Sequence, residues 1–193
     1  MNEISEEAAH DPTGGPHGHL RLGLFLFLVS VTVLFISALI ACGVTWSTQS
    51  NWVSIPVTRA VWSATVVAIL LSGVMHVSQR SFSRNNLDRG SLTLQAAAGL
   101  AVLFCVNQGL AWHGLATQGD AHHTLHAATF YTLTGLHAAH VLGGVVPLAV
   151  AVMKARRGEY SSSRYEPVRL LRLYWDYLLV VWFVLVGALY IMA

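Results

Sequence analysis

LFLFLVSVTVLFISALIACGV, residues 24–44, carries no charged side chain and only three hydroxyls, Ser30, Thr32 and Ser37. Wound as a helix at about 1.5 Å per residue, such a run spans the roughly 30 Å of a bilayer's hydrocarbon core. The whole chain agrees with this reading. Its 193 residues are 54% hydrophobic and only 10% charged, with a mean hydropathy of +0.56, where a soluble domain carries about 25% charged residues. Apolar windows of about 20 residues recur five times, over 20–46, 58–79, 91–113, 125–153 and 171–192. Blocks alternating with period two, the mark of a membrane barrel, are missing. The expected fold is therefore all-α: a polytopic membrane protein with five transmembrane helices. Loops of roughly 10 to 17 residues leave no room for a second domain. Residues 1–19 are expected to form a flexible polar tail and 20–193 a single transmembrane domain.

The opening MNEISEEAAHDPTGGPHGHL lacks the basic start and short apolar core of a cleavable signal, and His17 and His19 read as solvated tail residues. Cys42 and Cys105 each lie inside an apolar run, with no CxxC spacing, and read as small buried hydrophobes. Orientation follows from the cations. Arg21, the Arg80–Arg84–Arg89 joint and the joint from Lys154 to Arg172 share one side of a five-span chain, and Arg59 alone lies on the other. The positive-inside rule then puts the N-terminus in the cytoplasm and the C-terminus outside. Trp46, Trp52, Trp62 and Trp112 fall at the outer ends, as an interfacial belt would, while Tyr174 and Trp175 mark the inner start of the last helix.

No Asp, Glu, Lys or Arg occupies the middle of a span, which argues against a pump or carrier. Asp176, about one turn into the last helix, reads as an interfacial acid near Arg172. Pro147 is the one proline well inside a span and is expected to bend that helix. Histidine is the remaining polar resource. At about 100° per residue, His126, Phe130, Leu133, His137, His140 and Gly144 fall within an arc of about 80°. Thr134 and Gly135 point to a different neighbour. The stripe suggests hydrogen bonds between helices, and Gly143 and Gly144 allow close approach. Two histidines at similar depth, His76 and His140, also leave open a single b-type haem and a role as a membrane electron carrier. The outer HHTLH pairs His122 with His126 at i, i+4, but with only Asp120 as a further donor it is not read as a metal site.

FYTLTGLHAAHVLGG, residues 130–144, resembles the TGxHxxHVxxG helix of subunit III of haem-copper terminal oxidases. LLRLYWDYLLVVWFVLVGALY, residues 170–190, is similar to that family's last helix, with Trp175 and Trp182 in place. RLGLFLFLVS, residues 21–30, resembles the first helix of its five-helix form, and Gln108 matches a glutamine of the third. The pieces keep the family's order from about residue 21 to 192. Family acids are replaced here by Val31, Ala111 and Leu179, and a Trp-His-Phe by Trp175-Asp176-Tyr177, so buried carboxylates linked to proton uptake do not carry over. The resemblance implies a divergent, non-catalytic accessory subunit of a respiratory oxidoreductase and translocase, with cytochrome c or quinol as donor, in the bacterial cytoplasmic (inner) membrane. It implies haem and copper in partner subunits and none on this chain. The implied partners are the catalytic subunit I, other oxidase subunits and phospholipids, with no nucleic acid. Thr134, Gly135, His137, His140, Gly144, Gln108, Trp175, Asp176 and Trp182 are then candidates for helix seams or lipid contacts. The related accessory protein of nitric oxide reductases is the alternative within this resemblance.

Overall fold

The computed structural model describes residues 16–48, 59–117, 125–162 and 164–192. They form five helices: α1 (Pro16–Thr48), α2 (Arg59–Ser83), α3 (Leu87–Ala116), α4 (Leu125–Arg156) and α5 (Glu166–Met192). Among the described residues there is no strand. Each helix contains a window long and apolar enough to cross a membrane. The tail expected over 1–19 lies outside the described residues except for Pro16 to His19, which belong to the first turns of α1. Trp52, His122 and His123 also lie outside them.

All five windows were expected to stop short of the basic side, and the structure extends them there. The joint between α2 and α3 is the clearest case, because an expected loop of about a dozen residues is in fact residues 84–86. Asn85 adopts a left-handed φ of 58°, which Asn tolerates better than most residues. Its N–H donates to Phe82 O at 3.0 Å, and that of Asn86 donates to Ser81 O at 2.9 Å. This pair of bonds satisfies the final carbonyls of α2. Asn86 then starts the next helix: its side-chain oxygen accepts from the Arg89 N–H at 3.2 Å, and its carbonyl accepts from Gly90 N at 3.0 Å. One asparagine closes a helix and the next opens one. The polar letters RNNLDRG hid four residues of α3 because capping chemistry reads as loop. α4 ends in the same way on Gly158, at φ 70°, with Glu159 N donating to Lys154 O at 3.1 Å. α4 runs unbroken through Pro147.

Sequential helices run up and down, so the start of α1, the α2–α3 hinge and the α4–α5 joint meet at one end. There the guanidinium of Arg21 donates to Glu166 Oε1 at 2.7 Å, tying α1 to α5. Tyr160, buried in the α4–α5 joint, meets Phe82 of α2 edge-on at 5.4 Å. Gly90 lies so close to Phe82 that a Cβ would meet its ring at 3.0 Å. α2 packs along α3, α3 on α4, and α5 on α2, α4 and α1, whereas among the described residues α1 packs on α4 and α5 alone. The backbones of α2 and α4 do not approach one another closely among the described residues.

Replacing Asn86 with Ala removes the α3 cap and is expected to cost about 0.5–2 kcal/mol, whereas Asn85→Gly, which suits the positive φ, changes stability by little. Thermal melting of the detergent-purified complex, followed by size-exclusion fluorescence, checks both. Equal melting of N86A and the parent would remove the cap from the account.

Candidate functional site

The centre of the bundle is Trp182 on α5, which has no solvent exposure (0%). Its indole N–H donates to Thr65 Oγ1 on α2 at 2.9 Å, and the Thr65 hydroxyl in turn donates to Val61 O at 2.9 Å. The Trp182 ring meets Phe104 of α3 at 5.1 Å, edge-on, and the imidazole of His137 on α4 at 5.1 Å, tilted by 36°. One side chain therefore contacts three other helices. His137 is 2% exposed and also meets Phe104 at 5.7 Å and Phe35 of α1 at 6.3 Å.

The α4 stripe is largely internal, with Phe130, Leu133, His137 and Gly144 all buried; the side chain of His126 lies outside the described residues. Its histidines, however, make no direct interhelical hydrogen bonds of the kind expected of them. His137 is enclosed by rings. His140, half-buried, uses Nδ1 to donate to Leu136 O of its own helix at 2.8 Å and sets its ring against Phe35 at 5.3 Å. Both imidazoles sit beside aromatic side chains, which offer faces rather than lone pairs. The bonds between helices come from other residues. Tyr174 of α5 donates to the His140 carbonyl at 2.6 Å. Gly144 makes room for that contact: a Cβ there would stand 2.5 Å from Tyr174 Cε1 and 3.3 Å from Trp175 Cζ2. On the other side of α4, Trp112 of α3 donates to Thr134 Oγ1 at 3.0 Å, and Thr134 passes its own proton to Phe130 O at 2.6 Å. A Cβ at Gly135 would stand 4.0 Å from the same indole. Gln108, 3% exposed, lines a cavity of about 110 Å³ between α3 and α4.

Asp176 lies between α2 and α5. It accepts from the Ser72 hydroxyl at 2.6 Å and stands 3.6 Å from both Arg172 Nε and His76 Nε2. His76 donates from Nδ1 to Ser72 O at 2.9 Å. A haem bridging His76 and His140 does not fit this arrangement. The two imidazoles sit on helices whose backbones do not approach one another closely among the described residues, with α5 packed on both, and the Nε2 of His76 is turned to Asp176. Axial ligation needs facing helices. Among the described residues, no three His, Cys, Asp or Glu side chains gather as a metal group would.

The family resemblance implies a lipid cleft between helix groups, but its location was not legible in sequence. Between α1, α4 and α5 runs an apolar groove of about 700 Å³, lined by Leu24, Phe27, His140, Gly143, Pro147 and Tyr174 among others, with Lys154 at its basic end. Pro147 carries no N–H, so it withholds the usual helical bond from the Gly143 carbonyl beside the groove. Thr65 and Ser72 were also missed. Their signal was present, since a buried tryptophan N–H and an intramembrane carboxylate both need partners, but nothing in sequence ranks one hydroxyl above another.

Thr134→Val leaves the Trp112 N–H without its acceptor and is expected to cost about 0.6–2 kcal/mol. Gly144→Ala forces its methyl into Tyr174 and is expected to cost about 1–3 kcal/mol. Both are read as lost thermal stability of the assembled complex, and unchanged melting of G144A would remove the close α4–α5 approach.

The comparisons with known proteins bear on what this bundle is. A family model for cytochrome c oxidase subunit III matches residues 2–193. The cytochrome c oxidase subunit 3 of Synechocystis sp. is 30% identical over 191 residues, covering 92% of this chain and 79% of that protein. The protein of the same name from Thermostichus vulcanus is 24% identical, covering 98% of this chain and 93% of its own. That from Pisaster ochraceus is 26% identical over 89% of this chain and 69% of its own. With five membrane-length helices in the order the motifs require, this chain belongs to the cytochrome c oxidase subunit III family, as a multi-pass accessory subunit of a haem-copper oxidase complex.

Proposed function

We propose that this chain packs against the catalytic subunit of a cytochrome c oxidase, keeps that subunit and bound phospholipid in place, and has no redox centre or catalytic residue of its own. The observation that carries the reading is how its polar side chains are used. Trp112, Thr134, Trp182, Thr65, Tyr174, Ser72 and Asp176 are engaged with neighbouring helices, while the groove open to the membrane is apolar. A site for chemistry would need polar groups converging on open space. His137, Gln108, Trp175, Trp182 and Gly144 act as seam residues and His140 as a seam and groove residue. The named relatives are oxidase subunits, which favours this complex and cytochrome c as donor over the nitric oxide reductase accessory protein.

The basic ends of all five helices share one side, which supports a cytoplasmic N-terminus and an outward C-terminus in a bacterial inner membrane. In that orientation Lys154 lies at headgroup level, where a cation attracts phosphate, and the groove above it accepts an acyl chain. A volume of about 700 Å³ falls within the roughly 300–1,000 Å³ of ordinary ligand sites.

Purification through a tag on this chain in mild detergent is expected to bring down a haem-copper catalytic subunit, with a matching reduced-minus-oxidised spectrum. A lone chain carrying its own haem would overturn the accessory role. Ala139→Trp, which fills the groove from α4, is expected to lower the phospholipid retained per complex by native mass spectrometry while leaving the haem spectrum intact. Unchanged lipid stoichiometry would exclude the groove as the lipid site.

A further inference from the structure

Two polar atoms at the α4–α5 seam are buried without a hydrogen-bond partner: His137 Nδ1 and Trp175 Nε1. Their residues are 2% and 4% exposed. An indole N–H has no alternative to donating, and a buried donor without an acceptor costs about 1–3 kcal/mol. Both side chains line the same small cavity, together with Leu71, Val141, Leu178 and Trp182. Its volume is about 20 Å³, and one water needs roughly 10–15 Å³ together with at least two polar partners. The cavity is too small for an ion with a hydration shell, and its other side chains offer no charge. By contrast, the larger cavity at Gln108 presents one unpartnered amide nitrogen among apolar walls, below the number that holds a water in place.

We infer that a single structural water bridges Trp175 and His137, accepting from the Trp175 N–H and hydrogen-bonded to His137 Nδ1. Trp175 and Trp182 are seven residues apart and so lie on one face of α5. From that face Trp182 packs on the imidazole ring directly, and Trp175 reaches it through the water. His137 is therefore held at its ring by packing and at its nitrogen by a bridged hydrogen bond. A leucine of similar size would keep the first and lose the second.

The test is a cryo-EM map of the intact complex, at a resolution where ordered waters elsewhere in the transmembrane region are visible. A peak about 2.7–3.2 Å from both His137 Nδ1 and Trp175 Nε1 is expected. Well-ordered side chains with no peak between them, or with the two nitrogens in direct contact, would overturn the inference. Trp175→Phe keeps the aromatic body and removes the donor, so the peak is expected to vanish while the subunit still co-purifies. Persistence of the peak in W175F would exclude Trp175 as its partner. Ultraviolet resonance Raman of the wild type minus W175F isolates the Trp175 indole and is expected to show a hydrogen-bonded N–H; a free N–H would equally refute the bridge. The wild-type map decides the matter even where W175F does not assemble.

Discussion

The arrangement of this bundle depends on where a large, fully enclosed indole can be put. Trp182 has to bury its ring and give its N–H to an acceptor at once, in a medium that offers neither water nor a polar surface. The structure meets both demands with three helices: Thr65 of α2 takes the N–H, Phe104 of α3 takes the ring edge, and His137 of α4 covers its face. Moving any of these helices by one turn, about 5.4 Å, would leave a donor stranded or a face bare. α5 is thus the post on which the registers of α2, α3 and α4 are set. α1, which among the described residues meets α4 and α5 alone, is added to it.

Around that post the polar groups follow the rule of a solvent that cannot hydrogen-bond. Hydroxyls without a partner on another helix turn back on their own: Ser30 to Leu26 O, Ser37 to Val33 O and Thr45 to Ala41 O. Thr32 does so and also meets the Tyr177 hydroxyl at 2.9 Å, one of the few polar contacts holding α1. Asp176 departs from this economy. Its neighbours Ser72, Arg172 and His76 surround it, yet its side chain and that of His76 remain 28% and 41% exposed. A carboxyl that open, ten residues past Glu166 and about 15 Å into α5, sits where water or another subunit reaches it.

Much of this was legible in sequence. The five windows follow from hydropathy alone, and the α4 stripe follows from spacing. The turn at Asn85–Asn86 was not legible, because residues that cap helices also populate loops. Nor could the rotation of each helix be read. α1 is apolar on every side, so its pattern does not say which face meets α5, and Thr65, Ser72 and Tyr174 are only three of several polar residues until the helices are set side by side. Of the candidate residues, Trp182, Thr134 and Gly144 sit at closest approaches between helices. His137 and His140 were found by their oddity in an apolar run, but what they touch was misjudged: rings, and the backbone of their own helix.

The bond from Tyr174 to the carbonyl of His140 has a consequence for how freely this protein can change. The tyrosine reads main chain, and every amino acid presents the same main chain. The register of α4 on α5 is therefore indifferent to the identity of residue 140 while remaining sensitive to Gly144, whose lack of a side chain admits the ring. Variation is tolerated at one position and barred one turn away. The side chain at 140 instead packs on Phe35 of α1 and lines the groove, so exchanges there bear on the seating of α1 and the shape of the groove while the register of α4 on α5 stays in place.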